Sequence, residues 1–275
     1  GSSLVGSEMC IRDSGWRGCF YLLGFLGLAL GLLMLLVKDS PRKNISTKPD
    51  SKSFMEIMSL LYKALSSSKS LVFTIMAGTL YHIVLGAAQF EVIWAVEDKG
   101  FNPNTFGQIN GWIFVVFGVL GSLFGGIASD WTLRKYNLPR TWFLLILTLL
   151  FMPLAFTRYL DTDSILFWVG ICSSAFSLGC FYGPVFAVIQ ELVPPTIKGT
   201  VVAFNLLCLN MLGIALGSIL FGILADYAVT QGYENPYTNL LVGFSCVFLV
   251  FGPILYYLAG RFYEQDKKAL IEKFN

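Results

Sequence analysis

Eight polar residues lie inside stretches of sequence that are otherwise apolar. His82, Gln89 and Glu91 share one stretch (about 71–95), Ser173, Ser177 and Tyr182 a second (about 164–189), and Asn205 and Asn210 a third (about 200–225). A polar group inside an apolar span is costly and is commonly kept for function. His82 sits near the middle of its stretch. At about 100° per residue it shares a helix face with Gln89, with Gly78 and Gly86 beside it, whereas Glu91 points about 180° away and lies nearer the far end. This arrangement suits contact with a solute or a proton, because imidazole titrates near neutrality. It does not suit an acid–base pair on one helix face. His82 can equally be a packed histidine bonded to a neighbouring helix. Glu91 reads as a proton site, an outer gate or a solvated carboxylate at the mouth. Ser173 and Ser177 stand four apart and either line a site or bond back to their own helix. Gly183-Pro184, beyond Tyr182, marks a bending point. Asn205 and Asn210 can bridge helices or touch a solute.

Other chemistries are excluded. There is one histidine, and the six cysteines contain no CxxC pair, so no metal site of ordinary spacing can be assembled. No nucleophile stands with a base, which argues against an enzyme, and no cofactor motif is present. A net charge of +2 gives no footprint for nucleic acid.

The elements that must position these residues follow from composition. The chain is 55% hydrophobic and only 13% charged, with a mean hydropathy of +0.68. A soluble domain is about 25% charged, so the solvent for most of this surface is lipid. Seven apolar stretches are long enough to cross a bilayer: about 16–37, 71–95, 107–129, 141–157, 164–189, 200–225 and 238–260. Lys and Arg divide fifteen to four between the alternating ends of these spans. The basic set is expected in the cytoplasm, with the C-terminus among it. Each of the six tryptophans falls near a span end, at headgroup level.

Between the first two spans lies the long connection 38–70. Phe54, Ile57, Met58, Leu61 and Leu65 recur there at helical spacing among lysines, as in a short helix on the membrane surface or packed on the bundle. Gly1–Ser14 matches nothing after it, and Met9–Ser14 reads like a translated sequencing adaptor, so 1–14 is set aside as non-native. Glycines four apart, Gly27/Gly31, Gly121/Gly125 and Gly213/Gly217, mark helix contact faces.

Three stretches carry a family resemblance. Trp16-Arg17, Phe20–Gly24 and the closing Lys38-Asp39-Ser40-Pro41-Arg42 resemble the sixth helix of the major facilitator superfamily. Gly126-Ile127-Ala128-Ser129-Asp130 with Arg134-Lys135 resembles that family's signature loop, with Trp131 and Leu133 where a basic residue and a glycine are usual. Glu191-Leu192-Val193-Pro194-Pro195 with Lys198-Gly199-Thr200 resembles the lead-in to helix eleven. Asn210, Gly213, Gly217, Gly222 and Asp226 are most similar to the Spinster-type subgroup. The resemblance implies an all-α membrane protein. Helix six (15–37) would be followed by a cytoplasmic loop (38–70), a six-helix C-terminal half (71–260) of two inverted three-helix repeats, and a cytoplasmic tail (261–275). The N-terminal half would be missing. It implies secondary active transport of a small or amphipathic, lipid-like solute by alternating access, with protons or another ion coupled, across a plasma (inner) membrane. It places His82, Gln89, Ser173, Ser177 and Tyr182 on cavity-lining helices. The third and sixth spans become the pair that packs against the other half. Asp130 is then a state latch docked on the N-terminus of the sixth span, or alternatively a carboxylate balanced by Arg134 and Lys135.

A non-transporting fragment or scaffold is the main alternative. A seven-helix receptor shares the topology, but Asn235-Pro236-Tyr237 lies before the last span and no Asp-Arg-Tyr follows the third. A retinal protein would need a lysine in 238–260, which has none.

Overall fold

The computed structural model describes residues 2–36 and 53–274 and, among these, contains helices and no strand. Lys38, Arg42, Lys43, Lys48 and Lys52 of the expected loop lie outside the described residues. The chain divides into two units, 1–51 and 52–275. Among the described residues the first holds one helix, α1 (Ser2–Met34), which runs through the segment set aside above and carries the apolar stretch Phe20–Met34.

The second unit begins with α2 (Phe54–Ser67) and continues with six helices long and apolar enough to cross a membrane. These are α3 (Lys69–Glu97), α4 (Pro103–Tyr136), α5 (Arg140–Tyr159), α6 (Ile165–Leu192), α7 (Lys198–Thr230) and α8 (Pro236–Phe274). The second to seventh stretches read from the sequence are thus α3 to α8, running alternately up and down. Their ends are set by ordinary signals. Ser68 caps α3 by accepting from the Leu71 N–H (3.1 Å). Asn102 caps α4 by accepting from Asn104 and Thr105, with Pro103 at the first helical position. Asn137, left-handed at φ 50°, ends α4.

At the basic end, α8 does not leave as a loose tail. Tyr263, Asp266 and Leu270 are buried, and Leu61 and Ala64 of α2 join the same core. The Asp266 carboxylate accepts from the Ser70 N–H (2.6 Å) and the Ser68 hydroxyl (3.2 Å). It therefore neutralises the N-terminus of α3. At the opposite end a second core gathers Trp94, Phe106, Phe167 and Phe221.

Between the ends, helices touch backbone to backbone. A methyl on Gly125 would strike the Cys180 backbone of α6, and one on Gly217 the Ile83 backbone of α3. Gly121 and Gly213 lie equally close to Phe176 and His82. The two glycine pairs thus hold α4 on α6 and α7 on α3 within this bundle, because their small faces turn inward.

Gly125→Leu and Gly217→Leu are each expected to lower the unfolding temperature in detergent, costing about 1–3 kcal/mol or more. Gly111→Leu, with open space around it, should unfold like the parent. Equal unfolding of all three would show that these crossings do not depend on small residues.

Candidate functional site

Two polar clusters join α3 to α6. In mid-span, His82 is buried, with Nδ1 2.8 Å from the Gly78 carbonyl and Nε2 3.2 Å from the Tyr182 hydroxyl. A carbonyl only accepts, so Nδ1 carries the proton, and when the ring is neutral Nε2 accepts from the Tyr182 hydroxyl. The ring packs on Phe181 and Tyr81. Gly213, which lies against the His82 Cβ, belongs to a π-helical segment of α7, Cys208–Ala215. Such segments recur at functional sites. Beside His82, the Tyr81 hydroxyl meets the Ser177 hydroxyl at 3.4 Å.

The second cluster lies nearer the end opposite the basic one. A 3-10 turn at Ala88–Phe90 interrupts α3. Each residue of such a turn advances about 120° and not 100°, so the facing beyond Phe90 is shifted by about 60° from that of a continuous helix. Gln89 is exposed, while Glu91 is buried. Glu91 is no solvated carboxylate at the mouth. It is ion-paired with Arg158, with side chains only 7% and 9% exposed. Asn110 of α4 donates to the other Glu91 oxygen at 3.4 Å, and Arg158 reaches the Ser174 hydroxyl at 3.5 Å. The guanidinium lies 5.1 Å from the Trp94 ring and 5.5 Å from that of Tyr159. Arg158 stands in the turn Phe156–Tyr159, and the turn can press against α6 because Gly170 has no side chain there. Lys99 secures the turn by donating to the Tyr159 and Leu160 carbonyls.

A cavity joins the clusters. Tyr81, Glu91, Arg158, Ser174, Ser177 and Ser245 supply its polar lining. Its volume of about 70 Å³ leaves room for water. Ser173 is buried in α6. Asn205 is fully buried with neither side-chain polar atom bonded among the described residues. Asn210 is exposed and folds back to the Leu206 carbonyl (2.8 Å). No group of metal-ligating side chains occurs among the described residues.

At the basic end, Asp130 does not dock on the N-terminus of α7. Its carboxylate takes a 2.6 Å ion pair from Arg140, whose other nitrogen pairs with Glu191. The Tyr263 hydroxyl donates to Glu191 at 2.7 Å. A full guanidinium charge outcompetes the partial charge of a helix terminus, and a helix N-terminus favours carboxylates beside an arginine placed there. Arg134 and Lys135 are exposed and form no ion pair with Asp130; Lys135 instead lies over the Trp131 ring at 4.8 Å. The Gly126 carbonyl accepts from Ser129. Sequence reasoning missed Arg140, Arg158, Asn110 and Tyr263 as site residues. Arg158 did carry a signal, being one of the few basic residues at its end.

Removing one member of the Glu91–Arg158 pair leaves a buried charge unmatched, which costs about 3–5 kcal/mol. Glu91→Gln and Arg158→Met should each lower thermal stability in detergent. Glu91→Leu combined with Arg158→Met should lose less than either single change. Single variants as stable as the parent would mean that the pair is solvated.

The chain matches the family model for the Major Facilitator Superfamily over residues 2–218. It is 25% identical over 270 residues to an MFS-type efflux pump of Mycolicibacterium smegmatis (strain ATCC 700084 / mc(2)155), covering 96% of this chain and 61% of that protein. Its fold is similar to crystal structures of a bacterial homolog to the human lysosomal transporter Spinster. The inward-facing, occupied form gives a TM-score of 0.63 at 18% identity, covering 92% of this chain and 59% of the other. The unoccupied form gives 0.56 at 16%, covering 94% and 60%. The chain thus spans about three fifths of the length of the relatives it matches. Six apolar helices built round paired charges, with a family match over most of the chain, establish that it is an integral membrane protein of the major facilitator superfamily.

Proposed function

We propose that this chain supplies helix six and the C-terminal half of a twelve-helix secondary transporter that moves a small or amphipathic solute by alternating access. The observation that carries the reading is the mid-span bridge between α3 and α6, His82 to Tyr182 and Tyr81 to Ser177. It sets titratable and hydroxyl groups in the depth of the membrane beside a π-helical segment of α7. The similarity to an efflux pump supports export as the direction. The excess of Lys and Arg at one end supports a cytoplasmic C-terminus and a plasma (inner) membrane. α4 supports a missing partner half. Only 11% of its apolar window is buried, against 44% for α3, which leaves Val116, Leu120, Leu123 and Ile127 free to face that half. In this reading the Asp130–Arg140–Glu191 clasp holds one transport state. His82, Ser177 and Tyr182 contact the solute. Glu91 with Arg158 takes up the coupling proton. Asn205, whose side-chain polar atoms have no hydrogen-bond partner among the described residues, binds a polar group or water.

The test uses energised inside-out vesicles carrying the full-length transporter, with ethidium and a fluorescent lysophospholipid as probes. At least one probe should accumulate and be released by a protonophore. His82→Gln combined with Tyr182→Phe should slow uptake about tenfold, the equivalent of one or two lost hydrogen bonds. Expressed, folded protein that moves neither probe, or a double variant as fast as the parent, would contradict the reading.

A further inference from the structure

An apolar trough runs along the outside of the bundle between α3, α7 and α8. Its stretch nearer the basic end holds about 550 Å³ and is lined by Leu65, Val72, Met76, Phe204, Leu212 and Leu255 among others. The stretch beyond holds about 440 Å³ and shares Leu80 and Ile83 with the first, so the two are continuous. From Val72 to Ile83 the helix rises about 17 Å, close to the depth of one leaflet, about half of 30 Å. Among the described lining residues the hydroxyl is that of Thr79, satisfied by the Ile75 carbonyl at 2.9 Å. The Cys208 thiol and, at the far end, Asn239, whose amide donates to the Glu234 carbonyl, are the other polar groups of the lining, and the apolar remainder fits a single acyl chain.

The mouth adds charge. Lys69 opens α3 beside Leu65 and Val72, with its ammonium 5.0 Å from the Phe262 ring. The nearby carboxylate of Asp266 is buried and engaged by Ser68 and Ser70. Lys69 itself forms no ion pair among the described residues. Above the mouth, α2 packs one face through Leu61 and Ala64 and leaves Phe54, Met55 and Tyr62 more than 70% exposed. Met58, Tyr62 and Leu65 fall on one face at helical spacing, and Leu65 already lines the trough. The exposed face of α2 is thus placed to enter the headgroup layer where the trough opens.

We propose that this trough is a binding site for one anionic phospholipid of the leaflet at the basic end, with an acyl chain between α3, α7 and α8 and the phosphate at Lys69. The site rests on the membrane orientation proposed above, but it lies outside the polar cavity and needs no solute to be carried. Its readout involves no transport, so it fails or holds separately from the transport reading.

The test is native mass spectrometry of the purified chain in detergent, with equal amounts of a phosphatidylglycerol and a phosphatidylcholine of the same acyl chains. One phosphatidylglycerol should be retained in preference. Lys69→Gln should lower that preference about fivefold, the share of one lysine near an anionic headgroup, and leave phosphatidylcholine retention unchanged. Met76→Trp with Leu212→Trp, both at exposed lining positions, should empty the trough, whereas Val116→Trp on α4 should not. Unfolding temperatures of all variants guard against loss of fold. Equal retention of the two lipids would overturn the proposal. So would a preference that survives the trough-filling pair, which would mark headgroup adsorption alone or a trough covered by another segment.

Discussion

A charge carried into hydrocarbon must find its counter-charge within the protein, and each end of this bundle is arranged round one arginine that meets that demand. At the basic end Arg140 of α5 holds Asp130 of α4 and Glu191 of α6, and Tyr263 of α8 ties in through Glu191. At the opposite end Arg158 joins the end of α5 to Glu91 of α3, reaches Ser174 of α6, and lies near the ring of Trp94. The lipid gives apolar side chains no reason to prefer one another, so these ion pairs and close backbone contacts set which helices are neighbours.

The two arginine clusters differ in their exposure. The basic-end cluster is partly open, with Asp130 about half exposed at its side chain. The Glu91–Arg158 pair is closed off and shares a cavity with Tyr81 and Ser177, where a proton gained or lost changes a buried charge balance. His82 lies between them, bonded across to Tyr182. A partly open ion-pair cluster, a mid-span polar bridge and a buried ion pair thus stand at three levels along α3 to α6.

Much of this fold is legible in the sequence because lipid imposes a simple rule. Apolar stretches of span length, short polar turns and the one-sided placement of Lys and Arg define α3 to α8 almost without reference to packing. The amphipathic spacing from Phe54 to Leu65 likewise anticipates α2. The site was less legible, for two physical reasons. A three-residue 3-10 turn at Ala88–Phe90 rotates the helix beyond it by about 60°, so the facing of Glu91 cannot be read from a regular helix. Pairing between distant segments leaves no local mark either. Arg140 and Glu191 stand 51 positions apart and Arg158 and Glu91 stand 67 apart, and each looked like a charge at a span end. The carboxylate docked on a helix N-terminus, expected of Asp130, is present at Asp266 on α3. The chemistry was foreseen and the residue was not.

The central claim is that Arg140 gathers the basic ends of α4, α6 and α8. Hydrogen–deuterium exchange of an Arg140→Gln variant tests it most directly. Exchange should rise in 129–136 and 190–198, the ends that carry Asp130 and Glu191, and stay at the parent's level around Glu91 and Arg158. Unchanged exchange at 129–136 and 190–198, or an equal rise at both ends of the bundle, would contradict the account.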